Sequence, residues 1–228
     1  MRLYHCDKLV LRASPNPESL LNGITANTLD APQTAFLDVF GKIVVMADQI
    51  RVKGGSGALR DDVLLVIERQ FLQRLKKHIH QYALLCDTKL TKEQWFVYWN
   101  LDQDYEAGDD EHIIPQKAGQ LVLSSDDLAC SVSEEDFARF RLKNSIPLQG
   151  KDFDQEMALN VGDWFVSFTK GCFLGQEVVA RVKSRSKPPK RLIVIDEVQC
   201  TPEQKQQMTT VSLNQSTGTK QGFLFVGN

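Results

Sequence analysis

The residues with the most chemistry per position lie in Thr169–Arg181, TKGCFLGQEVVAR. Cys172 follows Lys170 by two residues and precedes Gly175 by three. Gln176 and Glu177 then open a run in which Val178, Val179 and Val182 have helical spacing. A cation and the positive end of a helix both favour a thiolate over a thiol whose ordinary pKa is about 8.5. Gly171 and Gly175 would let the chain turn tightly and admit a ligand close to the backbone. On the residues alone two readings stay open: a reactive thiol activated by Lys170, or a buried cysteine filling a strand–helix turn.

Other stretches carry less. Gly55-Ser56-Gly57 lacks the third glycine of a dinucleotide fingerprint and the lysine of a phosphate loop, so it reads as a hairpin loop. The run DQDYEAGDDEH (102–112) has six acidic residues, but Gly108 falls at position seven and Ile113 at position twelve of a calcium-loop count. It reads as a solvated acidic loop. His5, His78, His80 and His112 show no paired ligand spacing. In ARVKSRSKPPKR (180–191), Arg181, Lys183, Arg185 and Lys187 alternate. An extended backbone would set them on one face. They are either a solvated basic segment or a strip for a polyanion; the lack of interleaved aromatics disfavours RNA.

The elements that must position these residues are mixed. DKLVLR, AFLDVF, KIVVMADQIRV, VLLVI, YALLCDTKL, QWFVYWNL, GQLVLSS, DWFVSF, RLIVIDEV and a hairpin in the last stretch read as strands. Helices are expected after SPNPE, with Leu20, Leu21 and Ile24 inward, and over Gln70–His80. Two more are expected over Ser133–Lys143, started by Ser-x-x-Asp, and over GQEVVARVKS. Strands outnumber helices without βαβ alternation, which predicts an α+β fold with antiparallel sheets. SKPPK (186–190) is the expected linker. The net charge of −2 gives no general pull toward DNA or a membrane. Cys6, Cys86, Cys130, Cys172 and Cys200 are odd in number and scattered, which argues against a disulfide framework or a metal ligand set. With no secretory signal or membrane-length apolar run in the sequence, a reducing cytoplasm is the expected setting.

KGCFLGQEVVAR closely resembles the signature K-G-C-[YF]-x-G-Q-E-x-x-A-R of the YgfZ-type folate-binding family, relatives of the glycine-cleavage aminomethyltransferase (T-protein) that serve iron–sulfur proteins. NSIPLQG, LLNGITANTL and AFLDVFGKIVVMADQIRV resemble further family segments, with Ser145 in place of glycine and Thr28 in place of aspartate. The resemblance implies two related folate-binding-type α+β domains around a central hole, at 1–83 and 84–187, and a truncated β segment at 188–228. It implies tetrahydrofolate or a derivative as cofactor and iron–sulfur client proteins as partners. Thr25, Asn27 and Asp48 would line the hole, bordered by Gln176, Glu177 and Arg181. Asp48, Cys172 and Lys170 would carry any chemistry. Lys143 stands where the aminomethyltransferases place a pterin-gripping carboxylate, and a lysine cannot accept ring N–H donors. Three functions therefore stay open: a folate-binding protein for iron–sulfur assembly or repair, a one-carbon transferase, and a non-catalytic module with a degenerate pocket.

Overall fold

The computed structural model describes residues 1–54, 61–185 and 188–227, the side chain of Arg185 excepted. Gly55-Ser56-Gly57 and Lys187 lie outside the described residues. The strands are β1 (Leu3–His5), β2 (Lys8–Ser14), β3 (Gln33–Leu37), β4 (Ile43–Val52), β5 (Asp62–Glu68), β6 (Lys89–Glu93) and β7 (Phe96–Asn100). After them come β8 (His112–Pro115), β9 (Gln120–Ser124), β10 (Lys190–Asp196), β11 (Thr209–Leu213) and β12 (Lys220–Gly227). The helices are α1 (Glu18–Ile24), α2 (Leu72–Ala83), α3 (Glu134–Asn144), α4 (Ala158–Val161), α5 (Gln176–Arg185) and α6 (Pro202–Gln207).

Val63–Ile67 is apolar at every position because β5 is covered on both faces. Val63, Leu65 and Ile67 join Leu9, Leu11 and Ala13 under Leu20, Leu21, Ile24, Leu75 and Ile79 of α1 and α2. Leu64 and Val66 join Val10 and Val52 against Val97, Trp99, Leu121 and Leu123. The five-stranded sheet, in order β3-β4-β5-β2-β6, is thus sandwiched between two helices and a four-stranded sheet, β1-β7-β9-β8. Along β3 and the start of β4, Ala35, Leu37 and Ile43 are covered instead by Phe153, Ala158, Phe165, Phe173 and Val179. A three-stranded sheet, β10-β12-β11, closes the chain, and every strand pairing in the three sheets is antiparallel.

The expected α+β class with antiparallel sheets is what the structure has. Its strands do not follow the 83/84 division: β6 completes the first sheet beside β2, and β1 completes the second beside β7. YALLCDTKL is corrected from strand to the end of α2, a turn and the start of β6, because Tyr82 packs against the helical core while Leu84 and Leu85 stay in solvent. DWFVSF is corrected to irregular backbone: Phe165 and Val166 are buried and Ser167 N donates to Ala26 O, but among the described residues no strand pairs with it. Ser133 does cap α3, accepting from Asp136 N at 3.1 Å. The short β8, α4 and α6 have no counterpart in the sequence reading. Among the described residues, no helix is long and apolar enough to cross a membrane.

Candidate functional site

Side chains alternate across a strand, so Asp48 shares a face with Ile50 and Val52, Glu68 with Val66, and Lys8 with Val10. That face is the one covered by the four-stranded sheet. Register sets Lys8 opposite Glu68, Asp48 opposite Val66 and Gln33 opposite Asp48. Three charges thus meet at the open end of an apolar layer. Lys8 Nζ donates to Asp48 Oδ2 at 3.1 Å and lies 3.0 Å from Glu68 Oε1. Gln33 Nε2 and Gln116 Nε2 both donate to Asp48 Oδ1, at 2.8 and 3.1 Å. The side chains of Lys8 and Asp48 are 9% and 6% exposed, so their contact lies out of bulk water, while Glu68, at 22%, reaches its edge. Burial alone would push the Lys8 ammonium down, but Asp48 and Glu68 overcome it and hold the ammonium above its ordinary range.

These groups floor a cleft with a cavity volume of about 50 Å³. Its walls bring Trp99 from the second sheet, Gln116 from the link between β8 and β9, Ile146 and Leu148 from the stretch after α3, and Phe153 and Trp164 from the layer around α4. Gln149 locks that stretch to the first sheet: its Oε1 accepts from Met46 N at 2.8 Å and its Nε2 donates to Val44 O at 3.0 Å. Lys117 and Ser145 stand exposed at the lining.

Of the residues singled out in the sequence, Asp48 is on this floor. Thr25, Asn27, Lys170, Cys172, Gln176, Glu177 and Arg181 are not among those lining it, which corrects the expectation that Thr25 and Asn27 share one cavity wall with Asp48 and that the 170–181 segment borders it. Thr25 is fully buried and spends its hydroxyl on Leu21 O at 2.7 Å. Asn27 shapes its own loop, donating from Nδ2 to Gln33 O at 2.9 Å and accepting from Thr28 N at 3.0 Å. Lys170 Nζ donates to Thr25 O and Asn27 O, each at 2.8 Å, and to Thr25 Oγ1 at 3.4 Å, so the ammonium's hydrogen bonds run to the Thr25–Asn27 loop rather than to the Cys172 thiol. A chain of contacts nevertheless leads from the segment to the floor, through Lys170, Asn27, Gln33 and Asp48.

Within the segment, Phe173 and Val179 are buried and Gly175 meets the β3–β4 turn. Gln176 is half-buried, and Cys172, Glu177 and Arg181 are exposed. Over the described part of the cationic run the backbone is helical, not extended: α5 includes Arg181, Lys183 and Arg185, so Arg181 and Lys183 diverge around the helix, and Lys183 and Lys190 pair with Asp163 and Glu156. Lys143 is exposed in the last turn of α3, away from the floor, whose carboxylates are Asp48 and Glu68. Lys8, Glu68, Gln33 and Gln116 were not foreseen. Lys8 and Glu68 stand at strand ends, and only the pairing of β2 with β5 gives them a common address. Among the described residues, no group of three or more His, Cys, Asp or Glu side chains could hold a metal ion.

Burial depresses the Lys170 ammonium to about 8. Between that value and the ordinary lysine value of about 10.4 the unfolded chain binds more protons than the folded one, so stability from this group rises with pH across that interval. The stability of wild type relative to Lys170→Met, measured by urea unfolding, is therefore expected to be greater at about pH 10 than at about pH 7. A constant difference would show that Lys170 is freely hydrated.

No known protein-family profile matches this sequence. In three dimensions the chain resembles the glycine cleavage system aminomethyltransferase T from Bartonella henselae, with a TM-score of 0.72 at 10% sequence identity. The match covers 99% of this chain and 78% of that one. At this identity the likeness shows a shared fold alone.

Proposed function

We propose that this protein binds a reduced folate, with the edge of the pterin ring against Asp48, and that it supports iron–sulfur cluster assembly or repair in client proteins. The observation that carries the folate reading is the Asp48 floor. A carboxylate held by Gln33, Gln116 and Lys8 accepts N–H donors, and a pterin's pyrimidine edge sets a ring N–H and an amino group side by side as such donors. The donor and acceptor chemistry of the floor fits the ring, and Trp99 and Trp164 supply flat apolar surface. Pockets enclosing a whole drug-sized ligand measure about 300–1,000 Å³. A cavity of about 50 Å³ takes a ring edge and leaves the rest of the molecule outside. When bound, the folate would supply a carrier for one-carbon units.

The iron–sulfur role rests on the resemblance of residues 170–181 to the YgfZ-type signature. It is supported by the placement of Cys172, Glu177 and Arg181 in solvent, where a client could reach them. The shared fold with an aminomethyltransferase favours a second reading, transfer of a one-carbon unit from a methylated amine to tetrahydrofolate. Turnover of that pair in vitro would establish it; binding without turnover favours the first.

Asp48→Asn removes the charge and is expected to weaken tetrahydrofolate binding in calorimetry about 10- to 100-fold, the range of a hydrogen bond to a charged group. Cys172→Ser should leave that affinity unchanged. No heat from the wild-type protein would leave only the non-catalytic module.

A further inference from the structure

Lys8 and Glu68 line not only the Asp48 cleft but also a neighbouring cavity of about 80 Å³ that reaches Tyr4, Cys6 and Phe137. The Lys8–Glu68 pair stands between the two. An ammonium at 3.1 and 3.0 Å from two carboxylates leaves a trio with one net negative charge, its Lys8 and Asp48 side chains nearly out of water and its Glu68 side chain 22% exposed. Without the lysine, a buried Asp48 would face the Glu68 carboxylate with no cation between them, and one of the two would take up a proton. A protonated Asp48 would offer an O–H as well as an acceptor and would no longer select for donors.

We propose that Lys8 is the positioning residue of the cleft: by bridging Asp48 and Glu68 it keeps Asp48 a standing acceptor, so that the cleft takes a ligand edge built of N–H donors, such as an amidine–amide heterocycle, and refuses one that offers acceptors alone. This rests on the folate reading and specifies which part of the ligand the cleft reads. The other groups facing the trio do not replace Lys8. Cys6, from the β1–β2 link, is pushed up to about 12 by burial and stays a neutral thiol. Asp7 pairs with Arg69 at 2.6 Å. Lys151 is held by Glu134 at 2.8 Å. Lys117, after β8, donates to Ser145 O at 3.4 Å and is exposed. Gln33 and Gln116 are neutral amides from β3 and the β8–β9 link, and donate to Asp48 whatever the pH.

The test compares wild type, Lys8→Met and Glu68→Gln by calorimetry with tetrahydrofolate and with p-aminobenzoylglutamate, which has the carboxylated tail and lacks the pterin. Wild type is expected to bind the first and refuse the second, with an affinity that is flat from about pH 6 to 8. Lys8→Met should bind tetrahydrofolate about ten-fold more weakly at about pH 6 and recover part of the loss by about pH 8. Glu68→Gln keeps one carboxylate facing one ammonium and should keep the flat profile. In parallel, the carbon-13 signal of the Asp48 carboxyl, followed without ligand, should hold one position over that range in wild type and move in Lys8→Met. An unchanged, flat profile in Lys8→Met, binding of p-aminobenzoylglutamate as tight as that of tetrahydrofolate, or a moving Asp48 signal in wild type each overturns the proposal. If wild type binds no folate, the folate reading fails, and the carboxyl signal still decides the role of Lys8. The wild-type signal also keeps the test decisive should Lys8→Met fail to fold.

Discussion

Asp152→Ala is expected to lower the unfolding free energy by about 3–5 kcal/mol, the cost of leaving one partner of a buried ion pair alone. Arg141 Nη1 donates to Asp152 Oδ2 at 2.6 Å, with side chains 2% and 0% exposed. The same carboxylate accepts from Leu148 N at 2.8 Å and from the hydroxyls of Thr209 and Thr210 on β11. Arg141 Nη2 donates to Thr210 Oγ1 at 2.8 Å, and Nη1 also reaches Ile146 O at 3.2 Å. One pair therefore fastens the C-terminal sheet to α3 and fixes the chain on either side of Pro147, which lines the Asp48 cleft. Denaturant unfolding measures the loss. The double variant Arg141→Met with Asp152→Leu should lose less than Asp152→Ala alone, because it leaves no unpaired charge. A cost for Asp152→Ala under about 1 kcal/mol would put the pair in the class of solvated surface bridges and sink this account of how the last sheet is held.

Arg141 also marks where sequence reading stops. Its neighbours Phe137 and Leu142 are buried as helical spacing predicts. An arginine between them reads as solvent-facing until Asp152 and Thr210, 11 and 69 residues away, close over it. What was legible is local. Ser133 caps a helix, Leu20, Leu21 and Ile24 face a core, and the unbroken apolar run of β5 announces a strand covered twice. What was not legible depends on partners. DWFVSF has the apolar run of a buried strand but pairs with no strand among the described residues, and Lys8 joins the cleft floor only when β2 lies beside β5. Asp48 was found because a recognisable segment carries it; the ammonium and amides that define its chemistry sit on segments with no motif. The 170–181 stretch was found for the same reason, yet much of it serves architecture. Lys170 holds the loop carbonyls of Thr25 and Asn27, and through Asn27 and Gln33 it braces the floor rather than the thiol.

The two glycines that bracket Cys172 separate the architectural part of that stretch from the rest. Gly175 has φ +82°, and a Cβ there would fall 2.4 Å from Asp38 O and 3.2 Å from Gly41 Cα. Both are backbone atoms of the β3–β4 turn, which is itself pinned by Phe40 N and Lys42 N donating to Asp38 Oδ1, each at 2.9 Å. The turn cannot step aside without breaking those bonds. Gly175→Ala is therefore expected to cost about 3 kcal/mol or more, the sum of a left-handed backbone and an overfilled contact. Around Gly171 a Cβ would meet nothing within 4 Å. Gly171→Ala is expected to stay within about 0.5 kcal/mol of wild type. Thermal unfolding of the two variants checks both values, and equal losses would mean that the segment does not dock on the turn as described. If the contrast holds, fold stability asks for a glycine at 175 but not at 171. Gly171 and the exposed Cys172 then stand together as the part of the segment that folding leaves open, and an assay of Gly171→Ala, folded as wild type, against the proposed iron–sulfur clients tests whether that opening serves them.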